Sequence, residues 1–360
     1  MTSPEKIERV LIYRLGSLGD TVVALPALHL VARTFPTAAR LLLTNFPVHS
    51  KAPASSTILA SSGLVEGYIN YPAGTRNVSQ LAALWWKIRR FRPQVLIYLA
   101  KSRGERAVRR DRLFFRACGI SDIVGLPVGD LAQPLYLPEL GMWESESARL
   151  LRAVRDLGEC SIDDKRNWDL NLTDAEQGAA REALAPINGR PLLICGPGTK
   201  MQAKDWGREN WRELVSKLSQ AFPEHALVFV GAREEAEYCE YVATGWHGSA
   251  VNCCGQTSPR ETAALFHYAE LFLGPDSGPM HLAAAAGVPC AIAFAARTMP
   301  GIWYPHGLGN RVVYHKVECM GCDLETCIEQ KKKCLTSITV DEMLSAAMEA
   351  WSYGRRERAS

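Results

Sequence analysis

Short apolar runs alternate along this chain with glycine-bearing polar turns and longer stretches of helical periodicity, which is the pattern of alternating strands and helices. Arg9 to Arg14 is the first such run; the turn Leu15 to Asp20 follows it, and a helix is predicted from Thr21 to about Thr34, stopped by Phe35 and Pro36. Further strands are predicted at 39–44, 67–71 and 94–99, with helices between them. The same order restarts at Leu192 to Cys195, followed by the turn Gly196 to Thr199, a helix within 206–222 and a strand over 226–231. Strand followed by helix, repeated in this way, predicts parallel sheets wound on both faces. The polar, turn-rich stretch from Ala185 to Pro191 marks the predicted hinge. It divides the chain into domains 1–185 and 186–340, with 341–360 as a C-terminal helix and tail free to pack on either domain.

One turn carries more chemistry than the rest. Ala269 to Leu273 predicts a buried strand, and Met280 to Ala286 predicts a helix with Gly287 at its C-terminal stop before a strand over 288–294. Between them, Asp276 or Ser277 can cap the helix, and Pro279 stands where a missing N–H is harmless. The unpaired N–H groups of such a helix start attract an anion. An ordinary structural cap explains the same residues, and His281, one turn into the helix, adds a polar group suited to a site.

Composition narrows the class. With 360 residues, 47% of them apolar, and 20 prolines dispersed along the chain, this is a folded globular protein of about two domains. No apolar window is long enough to span a bilayer, and the start from Met1 to Lys6 lacks the pattern of a leader, so the expected location is cytoplasmic. The eleven cysteines fall in predicted core strands and in one cluster, Cys319, Cys322, Cys327 and Cys334. Reduced thiols suit that distribution, and the cluster's spacing allows a structural zinc, an iron–sulfur cluster or free thiols.

The net charge of +3 hides an uneven distribution, because 87–116 holds eleven Lys and Arg against Glu105 and Asp111. Trp85 and Trp86 stand immediately before it, giving a basic, aromatic, amphipathic stretch of the interfacial kind. Segment 85–116 is therefore expected to meet an anionic partner: a phosphorylated glycolipid, a membrane surface or nucleic acid. A solvated helix face is the bland alternative.

Four separated pieces, in this order, resemble glycosyltransferase family 9, the ADP-heptose:lipopolysaccharide heptosyltransferases. They are Arg14 to Asp20 with Leu25 and Pro26, Gly196 to Thr199 with Lys204 to Trp206 and Trp211, Gly255 to Thr257, and Asp276 to His281. The resemblance runs from about residue 9 to about residue 340. It implies an α/β fold of GT-B architecture, two Rossmann-like domains with parallel sheets facing across a cleft, acceptor on the first and nucleotide sugar on the second. It implies an inverting transfer in which Asp20 takes the acceptor proton and Lys204 meets the departing diphosphate. A helix start stabilises the Asp20 anion and makes it a weak base, which a late proton transfer tolerates.

The resemblance places Thr199, Ser277 and Gly278 on the diphosphate, Asp276 on the donor sugar, and His281 on phosphate or on the turn itself. Glu235, with Glu234 equally suitable by spacing, is matched to the ribose; Thr257 is placed near the base. Gly16, Gly19, Arg103 and Arg106 are the expected acceptor contacts. The chain contains no Asp-x-Asp triplet, so catalysis is expected to need no metal or other cofactor. The expected partners are an ADP-heptose donor and an anionic glycolipid acceptor, met at the inner face of the membrane and not nucleic acid. An epimerase-type enzyme of the same architecture, or a nucleic-acid-binding protein, are the alternatives.

Overall fold

The computed structural model describes residues 4–46 and 53–359; part of the chain start read above for a leader lies outside them. Two compact units divide the chain at Asn171/Leu172.

The first unit contains β1 (Arg9–Tyr13), α1 (Leu18–Val22), α2 (Leu25–Thr34), β2 (Ala39–Thr44), α3 (Ser56–Leu59), β3 (Gly67–Asn70), α4 (Val78–Phe91), β4 (Val95–Tyr98), α5 (Glu105–Ala117) and β5 (Asp122–Val124). A small antiparallel pair, β6 (Tyr136–Leu137) and β7 (Met142–Trp143), precedes α6 (Glu146–Ala153). The unit's other five strands form one parallel sheet in the order β3-β2-β1-β4-β5. The order reverses between β1 and β4, so the loops leaving those two strands border the crevice where open α/β sheets take their ligands. Leu11, Tyr13, Leu96 and Tyr98 of the central strands pack against Leu84 and Ile88 of α4 and Phe115 of α5.

The second unit contains α7 (Asp174–Leu184), β8 (Leu192–Cys195), α8 (Arg208–Ala221), β9 (Ala226–Phe229), α9 (Ala236–Ala243), β10 (Ala250–Asn252), α10 (Pro259–Phe266), β11 (Ala269–Pro275), α11 (Gly278–Ala285), β12 (Cys290–Phe294), β13 (Arg311–Tyr314), α12 (Lys333–Thr336) and α13 (Val340–Ala359). Its six strands are parallel in the order β10-β9-β8-β11-β12-β13, with the reversal between β8 and β11. Trp206 and Trp211 meet edge to face at 4.8 Å in its core. The Trp206 Nε1–H donates to the Ile338 carbonyl at 3.0 Å, tying α8's approach to the chain leading into α13.

Several elements differ from their predicted form. The single helix predicted from Thr21 breaks in two around Val23 and Ala24, with Pro26 in the first turn of α2 where no backbone donor is needed. Asp20 therefore lies inside α1. The observed division falls before α7, not after it at the predicted hinge, because α7 packs on α10 and Arg260 there binds Glu176 at 2.9 Å. Helix α13 packs within the second unit, burying Met343, Ala347 and Ala350 in that unit's core. Gly287 takes the positive φ of +77° expected at the end of α11.

Candidate functional site

In the first unit, the turn after β1 is built around Asp20. Its Oδ2 accepts the Ser17 N–H at 2.9 Å and the Ser17 hydroxyl at 3.2 Å, closing the first turn of α1 as a capping residue does. Gly16 is required sterically: its φ is +137°, and a Cβ there would stand 2.3 Å from Asp20 Cβ. Gly19 lies within α1 itself. Beneath the turn, the Arg14 guanidinium donates to the Asp20 carbonyl oxygen at 3.1 and 2.9 Å, to Leu99 O at 2.7 Å and to Glu146 Oε1 at 2.8 Å.

Arg103, on the loop leaving β4, is held rather than free. It donates to the Tyr13 hydroxyl at 2.9 Å and to Asp111 Oδ2 at 2.7 Å, and it stacks over Tyr71 with 5.9 Å to the ring centre. Asp111 also accepts from Tyr98 at 2.8 Å and from Arg110 at 3.0 Å, which leaves its charge fully engaged. Burial by itself would lower the Arg103 pKa, but the surrounding Tyr13 and Asp111 outweigh it and raise it. Arg106 is exposed on α5.

The second unit brings more of the expected residues together. Lys204, on the loop leaving β8, pairs with Asp276 Oδ2 at 2.8 Å at the end of β11, so the two sides of the strand-order reversal are joined by one buried ion pair. Ser277 is the N-terminal cap residue of α11, but its side chain makes no capping bond. Its Oγ is buried and has no hydrogen-bond partner among the described residues. A buried hydroxyl left unpaired costs about 1–3 kcal/mol, so such a group calls for an explanation. Gly278 opens the helix beside it, and His281 is buried with its ring edge to face against Trp303 at 6.2 Å. Thr199 accepts the Met201 N–H at 3.3 Å and so shapes the same loop.

Glu235 and Glu234 are separated by the structure. Glu234 is exposed, whereas Glu235 turns inward and accepts the Ala232 N–H at 2.7 Å. A Cβ on Gly198 would lie 2.4 Å from Glu235 Cδ, and one on Gly231 would lie 2.5 Å from its Oε2. Both glycines thus make room for this carboxyl, and burial raises its pKa above the ordinary value despite the Ala232 bond. Thr257 shares a hydroxyl contact with Thr262 at 2.9 Å, ahead of and within α10.

The four clustered thiols are free cysteines: Cys319, Cys327 and Cys334 are half-buried and Cys322 is exposed. Among the described residues, no group of three or more His, Cys, Asp or Glu side chains is arranged to hold a metal ion. Burial raises the Cys334 pKa. The segment also braces the Lys204 turn. Ala203 N–H donates to Glu325 O at 3.0 Å, Cys327 N–H to Gln202 Oε1 at 2.8 Å and Lys332 Nζ to Asp205 O at 2.7 Å.

Segment 85–116 forms a largely cationic face on α4 and α5. The Trp85 Nε1–H donates to Ala117 O at 2.9 Å, which joins the helices. Trp86 and Leu113 remain 54% and 67% exposed, and Arg90 lies 5.3 Å from the Trp86 ring centre. No described helix is long and apolar enough to cross a membrane.

Sequence reasoning missed Glu146, Arg149 and Asp111. Only the spacing of Glu146 and Arg149, three apart on one helix, hinted at a pair.

The sequence profile of glycosyltransferase family 9 (heptosyltransferase) matches residues 150–333. Lipooligosaccharide heptosyltransferase 2 of Campylobacter jejuni is 25% identical over 166 residues, covering 44% of this chain and 51% of that protein, so the chain spans about half the length of that relative. Lipopolysaccharide heptosyltransferase 1 of Pseudomonas aeruginosa is 25% identical over 348 residues, covering 89% and 88% of the two chains. The crystal structure of a family 9 glycosyltransferase from Veillonella parvula superimposes with a TM-score of 0.72 at 15% identity, covering 96% of this chain and 98% of that one. That likeness shows the α/β fold of GT-B glycosyltransferases across both units. With more than half of its length matched by the family profile, the chain belongs to glycosyltransferase family 9.

Proposed function

We propose that the protein transfers a heptose or related sugar from an ADP-activated donor to a lipopolysaccharide-core type of acceptor, with inversion and without a catalytic metal. The observation that carries this reading is the unpartnered, buried Ser277 Oγ at the start of α11, beside the Lys204–Asp276 pair. A hydroxyl, a helix start and a mobile cation converging on one point suit a diphosphate. Lys204 would then be shared between Asp276 and the arriving phosphates, while Asp276 turns to the donor sugar's hydroxyls. Glu235 would accept from the ribose, with Thr199 and His281 shaping the phosphate turn.

The step is a single displacement. The acceptor oxygen attacks the anomeric carbon and its proton passes to the Asp20 carboxylate. The bond from that carbon to the phosphate oxygen breaks, and ADP departs with its new charge met by Lys204, Ser277 Oγ and the helix N–H groups. Gly16 serves this reading by leaving space for Asp20. The cationic face of α4 and α5, including Arg106, supplies attraction to an anionic glycolipid and to the membrane leaflet that holds it. Arg103, already bound by Asp111, would act as a fixed donor at the edge of that face.

The test is release of ADP from ADP-heptose in the presence of intact or delipidated lipopolysaccharide core, comparing the native protein with Asp20→Ala. Turnover that depends on acceptor and falls by a factor of about 100 or more in Asp20→Ala is expected. Unchanged turnover removes Asp20 as the base, and thermal stabilisation by RNA but by no nucleoside diphosphate would overturn the transferase reading.

A further inference from the structure

Behind the Asp20 turn lies a line of ionised groups that neither the capping of α1 nor the binding of a nucleotide explains. Arg14, Glu146 and Arg149 have side chains 3%, 4% and 4% exposed. Glu146 Oε1 accepts from Arg14 at 2.8 Å and from Arg149 at 2.9 Å, and its Oε2 accepts from Arg149 at 2.7 Å. Burial alone would push the Glu146 carboxyl up, but the bonds and charges of Arg149 and Arg14 outweigh it and hold it below the ordinary carboxylate value. All three are therefore charged at neutral pH, and their sum is one positive charge.

Taking three ions out of water is costly, and well-packed apolar residues in their place are often no less stable. Stability is thus a weak reason for this arrangement. Its direction supplies a better one, because the line ends on Asp20. Arg14 fixes the Asp20 backbone through two bonds to its carbonyl oxygen, and its Nη2 stands 3.8 Å from Asp20 Oδ1. The other carboxylate oxygen is occupied by Ser17, so Oδ1 faces the Arg14 charge and is the oxygen left for a proton.

We propose that Glu146 and Arg149 are positioning residues for Asp20, acting through Arg14 to fix its place and to set the charge it faces. Glu146 offsets the Arg14 cation that Asp20 faces, and Arg149 moderates that offset from the far side. Glu144, bound by Arg152, flanks Arg149 and leaves the line's own balance to its three members. The inference rests on Asp20 as the base, and it makes two substitutions act with opposite sign. Glu146→Gln leaves two cations behind Asp20 and favours its anion. Arg149→Met leaves the Arg14–Glu146 pair, with no net charge, and favours its protonated form.

The experiment measures the titration of Asp20 by NMR of protein labelled with 13C at aspartate carboxyls, using Asp20→Asn to identify the signal. The midpoint should fall by about one pH unit in Glu146→Gln and rise by a similar amount in Arg149→Met. In parallel, kcat for ADP release from ADP-heptose with lipopolysaccharide core should fall about tenfold in Glu146→Gln at unchanged KM, with its acid limb moved to lower pH. Midpoints that stay in place, or that move in the same direction in both variants, overturn the proposal. If Glu146→Gln does not fold, the upward shift in Arg149→Met decides. If the native protein releases no ADP from this pair of substrates, the proposed reaction fails, while the two NMR titrations still decide whether Glu146 and Arg149 control Asp20.

Discussion

Ser277 and Lys204 follow the adjacent strands β11 and β8 of the second unit, yet their side chains should respond differently to removal. Ser277 Oγ has no partner to lose and is buried unpaired, so Ser277→Ala should leave the melting temperature unchanged or raise it. If that hydroxyl meets the diphosphate, the same substitution should lower kcat/KM by a factor of about 10–100. Lys204→Ala combines both effects, because Asp276 would be left as a buried, uncompensated charge, a loss of about 3–5 kcal/mol in stability. A large drop in melting temperature for Ser277→Ala with normal turnover would assign it to structure. Glu235 gives a pH test. Its raised pKa means that protonation persists to higher pH in the folded protein; relative to the unfolded chain, its stability contribution is full below the unfolded value and is lost as pH rises through the folded one. ADP affinity, measured by calorimetry, should therefore weaken as pH falls through the weakly acid range, and Glu235→Gln should flatten that dependence. At this scale the motif residues were legible and their supports were not. Glu146 lies 132 positions from Arg14, and no local pattern joins them.

Among the elements, legibility followed burial. The central strands β1, β4, β8 and β11 are unbroken apolar runs because both faces of a parallel sheet are covered, and the sequence located them to within a few residues. Strands β5, β10 and β13 are short and half-buried, so they carry too few apolar positions to stand out. The break between α1 and α2 went unrecognised because Pro26 reads equally well as a helix opening or as a helix error. Turn geometry permits a sharp prediction here. Gly16→Ala places a methyl on Asp20 at a positive φ, and it should destabilise the protein by about 1–3 kcal/mol while reducing ADP-heptose turnover further than that loss of folded protein explains. For α4 and α5, sedimentation with vesicles rich in anionic lipid should be salt-sensitive and should weaken in Trp86→Ala and Leu113→Ala. Equal binding to neutral and anionic vesicles would remove the electrostatic part of that contact.

At the scale of the whole molecule, each unit has one strand-order reversal, the place where open α/β sheets take their ligands, and the two edges carry different chemistry. The first presents Asp20 and bound guanidinium groups; the second presents a lysine, an unpaired hydroxyl and a helix start. The repeated strand–helix order made both sheets legible. The division before α7 did not emerge from the sequence, because the Arg260–Glu176 contact that assigns α7 to the second unit spans 84 positions. The second edge also bears on metal dependence. A departing diphosphate needs positive charge, which can come from a divalent cation held by paired carboxylates or from protein groups already in place. The chain lacks an Asp-x-Asp triplet, and the carboxylate at this edge, Asp276, is already committed to Lys204. If Lys204 and the α11 N–H groups meet the phosphates, ADP release from ADP-heptose should persist in excess EDTA at a rate within about a factor of two of the untreated enzyme. Loss of that activity with recovery on adding Mg²⁺ would show that the lysine and helix start are insufficient, and would return the charge on the leaving group to a metal.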